Sequence, residues 1–219
     1  MAVYDKPIVQ HLVEKVVRAG IEEILVITGT EHSGQIFNFL GSGVDYGCKF
    51  TFKVQDRPDG ISAAIGMAKD FVKDDPFVVI LGDNLFTDEL RQYVVRFREY
   101  FNKIHTDSVS GMILIKEVDD PNRFGVVKFN DDGTINSIVE KPTEAPSKFA
   151  VSGIYFYIGS AIFDIIKSLK PSKRNELEVT DLNNELIRQG RMAFSYLQGE
   201  WVDCGSPESL YKANQLFHK

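Results

Sequence analysis

Two aspartates stand where a cation and its anionic ligands could be held. Asp83 follows the apolar run Phe77-Val78-Val79-Ile80-Leu81 through Gly82, and Asp203 follows Trp201-Val202 just before a helix start at Ser206-Pro207-Glu208. In a sheet of parallel strands, ligands gather beyond the carboxyl ends of the strands. A carboxylate there suits Mg²⁺, which takes one or two carboxylates and completes its shell with waters and substrate phosphates. The helix start after Asp203 itself favours anions. The plainer reading of each aspartate is a strand-end turn or a helix cap, and spacing alone does not bring the two together. Glu140-Lys141-Pro142 ends another strand, because Pro142 cannot donate to a ladder. Lys141 is then either a point charge for a phosphate or a solvated edge lysine. Gln55 to Ala64 is a Pro- and Gly-containing turn, with Gly60 before a run of small residues. Small residues let a flat ligand lie close to the backbone, or let a helix pack close to a sheet.

These candidates need strand ends to sit on. The periodicity predicts a helix from Pro7 to Gly20, a strand over 23–28, a helix over 32–41, a strand over 49–54, a helix over 61–72 and a strand over 77–81. Four strands with little helix between them follow at 110–117, 124–129, 134–140 and 150–157, with a hairpin turn at Asn130-Asp131-Asp132-Gly133. Helices over 160–169 and 178–189, a strand pair near 192–203 and a helix over 206–218 complete the chain. Alternating strands and helices imply right-handed parallel crossovers. The expected fold is α/β: a Rossmann-like, mixed, mainly parallel sheet flanked by helices, with an antiparallel insert. The 219 residues make one domain, with no repeat or linker.

Several function classes are disfavoured. Gly41-Ser42-Gly43 imitates a dinucleotide fingerprint, but it follows a helix and precedes a strand, the reverse of the required order. A net charge of −6 argues against non-specific nucleic-acid binding. No apolar run approaches the ~18 residues of a membrane span, and no basic-then-apolar signal pattern opens the chain, so a cytoplasmic protein is expected. Cys48 and Cys204 read as buried free thiols. No histidine pairs with another at zinc-ligand spacing.

The order of the strings VYDKP at 3–7, RPDGISAA at 57–64, LGDN at 81–84, RFGVVKF at 123–129, EKP at 140–142, VSGIYFY at 151–157, RNELEVTDLN at 174–183 and WVDCGSPESL at 201–210 resembles the sugar-1-phosphate nucleotidyltransferases. Within them it is most similar to the glucose-1-phosphate thymidylyltransferases. The resemblance implies that a sugar-1-phosphate oxygen attacks the α-phosphorus of a nucleoside triphosphate, dTTP for this branch, and pyrophosphate leaves. It implies that Asp83 and Asp203 hold Mg²⁺ and that Lys141 binds the sugar phosphate, with Arg174 nearby. Gln55 and Gly60 would read the base. Gly125, Glu140, Val151 and Tyr155 would shape the sugar pocket.

One departure stands beside the match. The family opens with a buried strand running into a Gly-rich loop containing Gly-Thr-Arg, with a lysine shortly before VYDKP, whereas this sequence begins Met1-Ala2-Val3. The expectation is an N-terminally incomplete domain with impaired transfer, since losing a transition-state arginine alone costs on the order of 10³–10⁵ in rate. Lys6 corresponds to the later lysine of VYDKP and is not assumed to replace the missing one. A missing central strand would leave unpaired backbone groups. Neighbouring strands could close that gap, another chain could fill it, or the edge could stay open; a homo-oligomer covering it is expected. The competing readings are a non-catalytic sugar-phosphate or nucleotide-binding module, a uridylyltransferase relative, and a glycosyltransferase. The last ranks low, because Asn84-Leu85 follows Asp83 where an Asp-x-Asp pair would be needed.

Overall fold

The computed structural model describes residues 1–102 and 109–218. A short hairpin of β1 (Ala2–Val3) and β2 (Lys6–Pro7) leads into α1 (Ile8–Arg18), β3 (Glu23–Gly29), α2 (Ser33–Leu40), β4 (Lys49–Gln55), α3 (Ile61–Met67), α4 (Lys69–Val72), β5 (Pro76–Ile80), β6 (Asn84–Phe86) and α5 (Leu90–Asn102). There follow β7 (Gly111–Glu117), β8 (Gly125–Phe129), β9 (Ile135–Glu140), β10 (Phe149–Ile158), α6 (Gly159–Ser168), α7 (Val179–Arg188), β11 (Met192–Tyr196), β12 (Trp201–Asp203) and α8 (Pro207–Phe217).

The ends of these elements follow local chemistry. Gly20, at φ 84°, stops the turn after α1. Ser206 caps α8 in a reciprocal box with Ser209, with Pro207 in the first turn. Gly133, at φ 82°, closes the β8–β9 turn, and its amide donates to the Asn130 carbonyl. The expected helix over 61–72 breaks at Ala68 into α3 and α4. Helix α5 was not anticipated, although Leu90, Tyr93, Val94 and Phe97 recur at helical spacing and are all buried.

The class is mixed α/β, with a central sheet flanked by helices. Its six strands run β11-β7-β10-β8-β9, with β5 also on β10. Among the described residues parallel pairing is confined to β3–β4 and β7–β11. That share is smaller than the alternation of strands and helices suggests, because β10 runs antiparallel to β5, β7 and β8. Strand β10 is buried along almost its whole length. Its side chains alternate between two cores, as a period of two requires. Ile154, Phe156 and Ile158 pack on the side of α1 and α5, while Tyr155 and Tyr157 pack on the side of α3, α6 and α7. The pair read at 192–203 does not form. β11 joins β7, while β12 joins β6, because the Gln198 and Gly199 amides donate to Asp88 and pull the chain away.

Strand β3 pairs with β4, and β5 pairs with β10. Among the described residues neither has a partner on its other edge. Neighbouring strands have therefore not closed the expected gap. Both cysteines are buried and free, as expected.

Candidate functional site

The antiparallel pairing of β6 with β12 puts Asp203 opposite Asn84 and therefore beside Asp83. The Cys204 amide donates to the Asp83 carbonyl at 2.8 Å. Burial, and then the negative charge of Asp203, push the Asp83 carboxyl above its usual range. The Cys204 thiol, buried and facing both carboxylates, is pushed up to about 11. Two carboxylates separated along the sequence thus share one small volume.

Asn84 fixes that volume. It is buried, and its amide group donates to Asp83 Oδ1 at 2.6 Å. Its own Oδ1 accepts from Trp201 Nε1 at 2.8 Å and from the Gly153 amide at 3.1 Å. A Cβ on Gly153 would stand 2.6 Å from the Asn84 side chain, so glycine is needed there. Asn84, Gly153 and Trp201 lie in the strings LGDN, VSGIYFY and WVDCGSPESL, but nothing in spacing reveals that one asparagine joins all three strands.

The next layer lies on β8, β9, β10 and α7. Tyr155 is buried and its hydroxyl pKa is raised, first by burial and then by Glu140, Asp83 and Asp203. It is the common neighbour of the three carboxylates. Glu140 stands opposite Gly125 in the β8–β9 ladder and accepts from Thr180 Oγ1 at 2.5 Å. Val151 sits where β10 shifts register against β7, before Tyr155 resumes pairing. Lys141 follows Glu140 with φ 42°, an unusual left-handed conformation for a lysine, held by its amide bond to the Phe124 carbonyl at 3.0 Å. Its side chain is exposed.

Arg174 is gripped by an acid. Its guanidinium makes two bonds to Glu178, at 3.2 and 2.9 Å, and lies 3.8 Å from Glu140 and 3.9 Å from Glu176. The segment carrying it also braces the Gln55–Gly60 turn. The Leu177 amide donates to the Asp59 carbonyl, the Ser62 amide donates to the Leu177 carbonyl, and Ser62 Oγ donates to the Glu178 carbonyl. Gln55 Nε2 donates to the Gly60 carbonyl at 3.2 Å. Gly60 has φ 100°, and a Cβ there would meet the Leu177 carbonyl oxygen at 2.5 Å. Close backbone packing therefore explains this glycine without any ligand.

The structure thus sets Asp83 beside Asp203, and Glu140 with Gly125 and Arg174, while Tyr155 feels the charge of Glu140, Asp83 and Asp203; the Gln55–Gly60 turn is tied to the Arg174 segment through Leu177 and Glu178. Thr180 and Glu178, which hold Glu140 and Arg174, were not singled out from sequence. They fall in the RNELEVTDLN string, Glu178 as the residue before α7 and Thr180 in its first turn.

Known proteins share much of this sequence and fold. The nucleotidyl transferase family matches residues 1–219. The chain is 41% identical over 215 residues to the low-salt glycan biosynthesis nucleotidyltransferase Agl11 of Haloferax volcanii, covering 98% of this chain and 58% of that protein. It is 36% identical to the glucose-1-phosphate thymidylyltransferase of Neisseria meningitidis, covering 97% of this chain and 72% of that enzyme. It superposes with TM-score 0.90 and 42% identity on a crystal structure described as a glucose-1-phosphate thymidylyltransferase from Bacillus anthracis in complex with a sucrose, over 99% of this chain and 84% of that one. A UDP-glucose pyrophosphorylase complexed with UDP-glucose gives TM-score 0.83 at 27% identity, over 100% of this chain and 89% of that one. With the match running from the first residue to the last, the chain belongs to the nucleotidyl transferase family.

Proposed function

We propose that the chain carries the site of a sugar-1-phosphate nucleotidyltransferase, transferring a thymidylyl group from dTTP to glucose-1-phosphate. In that reaction a phosphate oxygen of the sugar-1-phosphate forms a bond to the α-phosphorus, and the bond to the pyrophosphate leaving group breaks. The observation that carries the reading is the β6–β12 pairing, which sets Asp83 and Asp203 side by side at the strand ends.

Two adjacent carboxylates, with the Asn84 amide fixing Asp83, are oxygen donors of the kind Mg²⁺ takes. Among the described residues no third His, Cys, Asp or Glu joins them, which leaves room for waters and phosphate oxygens. Asp83 and Asp203 would hold the ion, and bound there it would neutralise charge on the phosphates. The protein's own share is positioning and charge. Lys141, exposed on a strained backbone, supplies a point charge to the sugar phosphate. Arg174 offers a planar fork to the same phosphate by exchanging Glu178 for it. Glu140, oriented by Thr180 Oγ1, accepts from sugar hydroxyls, while Gly125, Val151 and Tyr155 form the pocket wall. Gln55 and Gly60 present polar backbone and amide groups to the base.

Titration calorimetry of the chain with glucose-1-phosphate, dTTP and UTP separately, in Mg²⁺, tests this. Glucose-1-phosphate should bind to the parent chain, and Lys141→Ala should weaken it about tenfold or more. Equal binding by parent and variant would overturn the role of Lys141, and no binding to either would overturn the sugar-phosphate reading. UTP binding tighter than dTTP would favour a uridylyl reading, which the UDP-glucose pyrophosphorylase likeness keeps in view.

A further inference from the structure

Position 15 breaks the pattern of its own helix. The buried stripe of α1 carries Ile8 and Leu12 and continues to Ala19, and residue 15 falls on it, between Leu12 and Ala19 at helical spacing. An apolar side chain belongs there, yet the residue is Lys15, and it is 5% exposed. An ammonium taken out of water is costly unless its protons are met. Burial lowers the Lys15 pKa, with Arg18 acting the same way, against the pull of Glu89 and Asp88. A departure of this kind from the local pattern marks a residue held for something other than packing.

The ammonium is spent on the turn that leaves β6. Nζ donates to the Asp88 carbonyl at 2.9 Å and to the Thr87 carbonyl at 3.3 Å, and it stands 5.0 Å from the centre of the Phe86 ring. The side chains of these same two residues hold the returning chain. Thr87 Oγ1 accepts from the Glu200 amide at 2.8 Å, and the Asp88 carboxylate accepts from the Gln198 and Gly199 amides. The Thr87 amide also donates to the Glu200 carbonyl at 2.9 Å. Trp201 comes next, opens β12 and pairs with Phe86, which sets Asp203 opposite Asn84. An unbroken run of hydrogen bonds and paired backbone therefore leads from Lys15 to the two carboxylates.

We infer that Lys15 is a positioning residue for Asp83 and Asp203: by fixing the Thr87 and Asp88 carbonyls from α1, it sets the turn that delivers β12 to β6. The inference rests on the proposed function only in giving the carboxylates an ion to hold. The joint itself is read without one, because Trp201 is the single tryptophan and its indole N–H donates to Asn84, next to Asp83. The test compares the full chain with three variants. Lys15→Met removes the donors at similar length, and Lys15→Arg keeps a charge and several donors. Val13→Ala is the packing control, since Val13 faces Leu40 and Cys48 and its truncation weakens the fold by packing alone. Two quantities are read in the folded proteins: the NMR shift of the Trp201 indole N–H without metal, and Mn²⁺ affinity by electron paramagnetic resonance. Lys15→Met should move the indole signal towards that of a free indole and weaken Mn²⁺ about tenfold or more, whereas Lys15→Arg and Val13→Ala should match the parent. Three results would overturn the inference: parent values in Lys15→Met, equal changes in Val13→Ala, or a Lys15→Arg protein that behaves as Lys15→Met. If the parent binds no Mn²⁺, the functional reading fails and the indole signal alone decides the role of Lys15. If Lys15→Met loses its circular dichroism, Lys15→Gln, shorter and uncharged, takes its place under the same criteria.

Discussion

The six-stranded sheet and the separate β3–β4 pair differ in how completely they are held. Around β10 the strands β7, β8 and β10 are paired on both edges, side chains pack into a core on each face, and the half-buried Asp83 is held by the buried Asn84. In β3–β4 each strand has one partner, and most side chains are half-buried or exposed. The Gln55–Gly60 turn is held by residues 176–178, not by its own sheet. The side that carries Asp83, Asp203 and Glu140 is therefore preorganised by a finished core, and the Gln55–Gly60 side borrows its order from that core.

That contrast can be broken most directly at Trp201. It is 7% exposed, packs on Phe124 and donates to Asn84. Trp201→Ala should cost about 3–5 kcal/mol of stability, seen as a lowered urea midpoint, with Mn²⁺ binding to the two aspartates lost in the folded fraction. A cost under 1 kcal/mol would mean that the β6–β12 pair is not part of the finished core.

Hydrogen exchange compares the two sheets without mutation. Amides of β7 and β10 should open only with global unfolding, whereas those of β3–β4 should exchange about a hundredfold faster, a difference of ~2.7 kcal/mol. Equal rates would erase the distinction. Gly153→Ala then probes the packing behind Asp83. The added methyl must displace the Asn84 side chain, at an expected cost of about 2 kcal/mol, read as a loss in thermal midpoint.

The smallest effect has the opposite sign. Burial and Asp203 raise the Asp83 carboxyl pKa, so protonation favours the folded state. That contribution is complete below the ordinary aspartate pKa of about 3.9 and is lost as pH rises through the raised value. Asp83→Asn should therefore raise the apo-protein's thermal midpoint slightly at pH 7, with the gain vanishing near pH 3, while removing Mn²⁺ binding. A stability gain that persisted at pH 3 would locate its cause elsewhere.

What could be read in advance follows the same division. Helix α8 and the Asn130–Gly133 turn are legible because Ser206-Pro207 and the Asp-Gly pair act within a few residues. The apolar strands were legible by composition, but their partners were not. β10 looks like any buried run, yet it pairs three neighbours antiparallel, a choice made by tertiary packing. Asp83 and Lys141 could be suspected from strand ends. That Asp203 would reach Asp83 could not, since it depends on β12 leaving β11 to find β6. Gly60 drew attention as a possible ligand contact, whereas its backbone angle and the Leu177 carbonyl already account for it.

The departure of β12 rests on Asp88, whose carboxylate accepts from the Gln198 and Gly199 amides and from the Tyr93 hydroxyl, while the Glu200 amide reaches Thr87 Oγ1. This clasp makes the carboxylate pair modular. The polypeptide between Asp83 and Asp203 is a long excursion whose two ends are fastened to each other, so its length does not set their spacing. An insertion at the exposed Asn130–Gly133 tip would lengthen the excursion and leave the fastening unchanged.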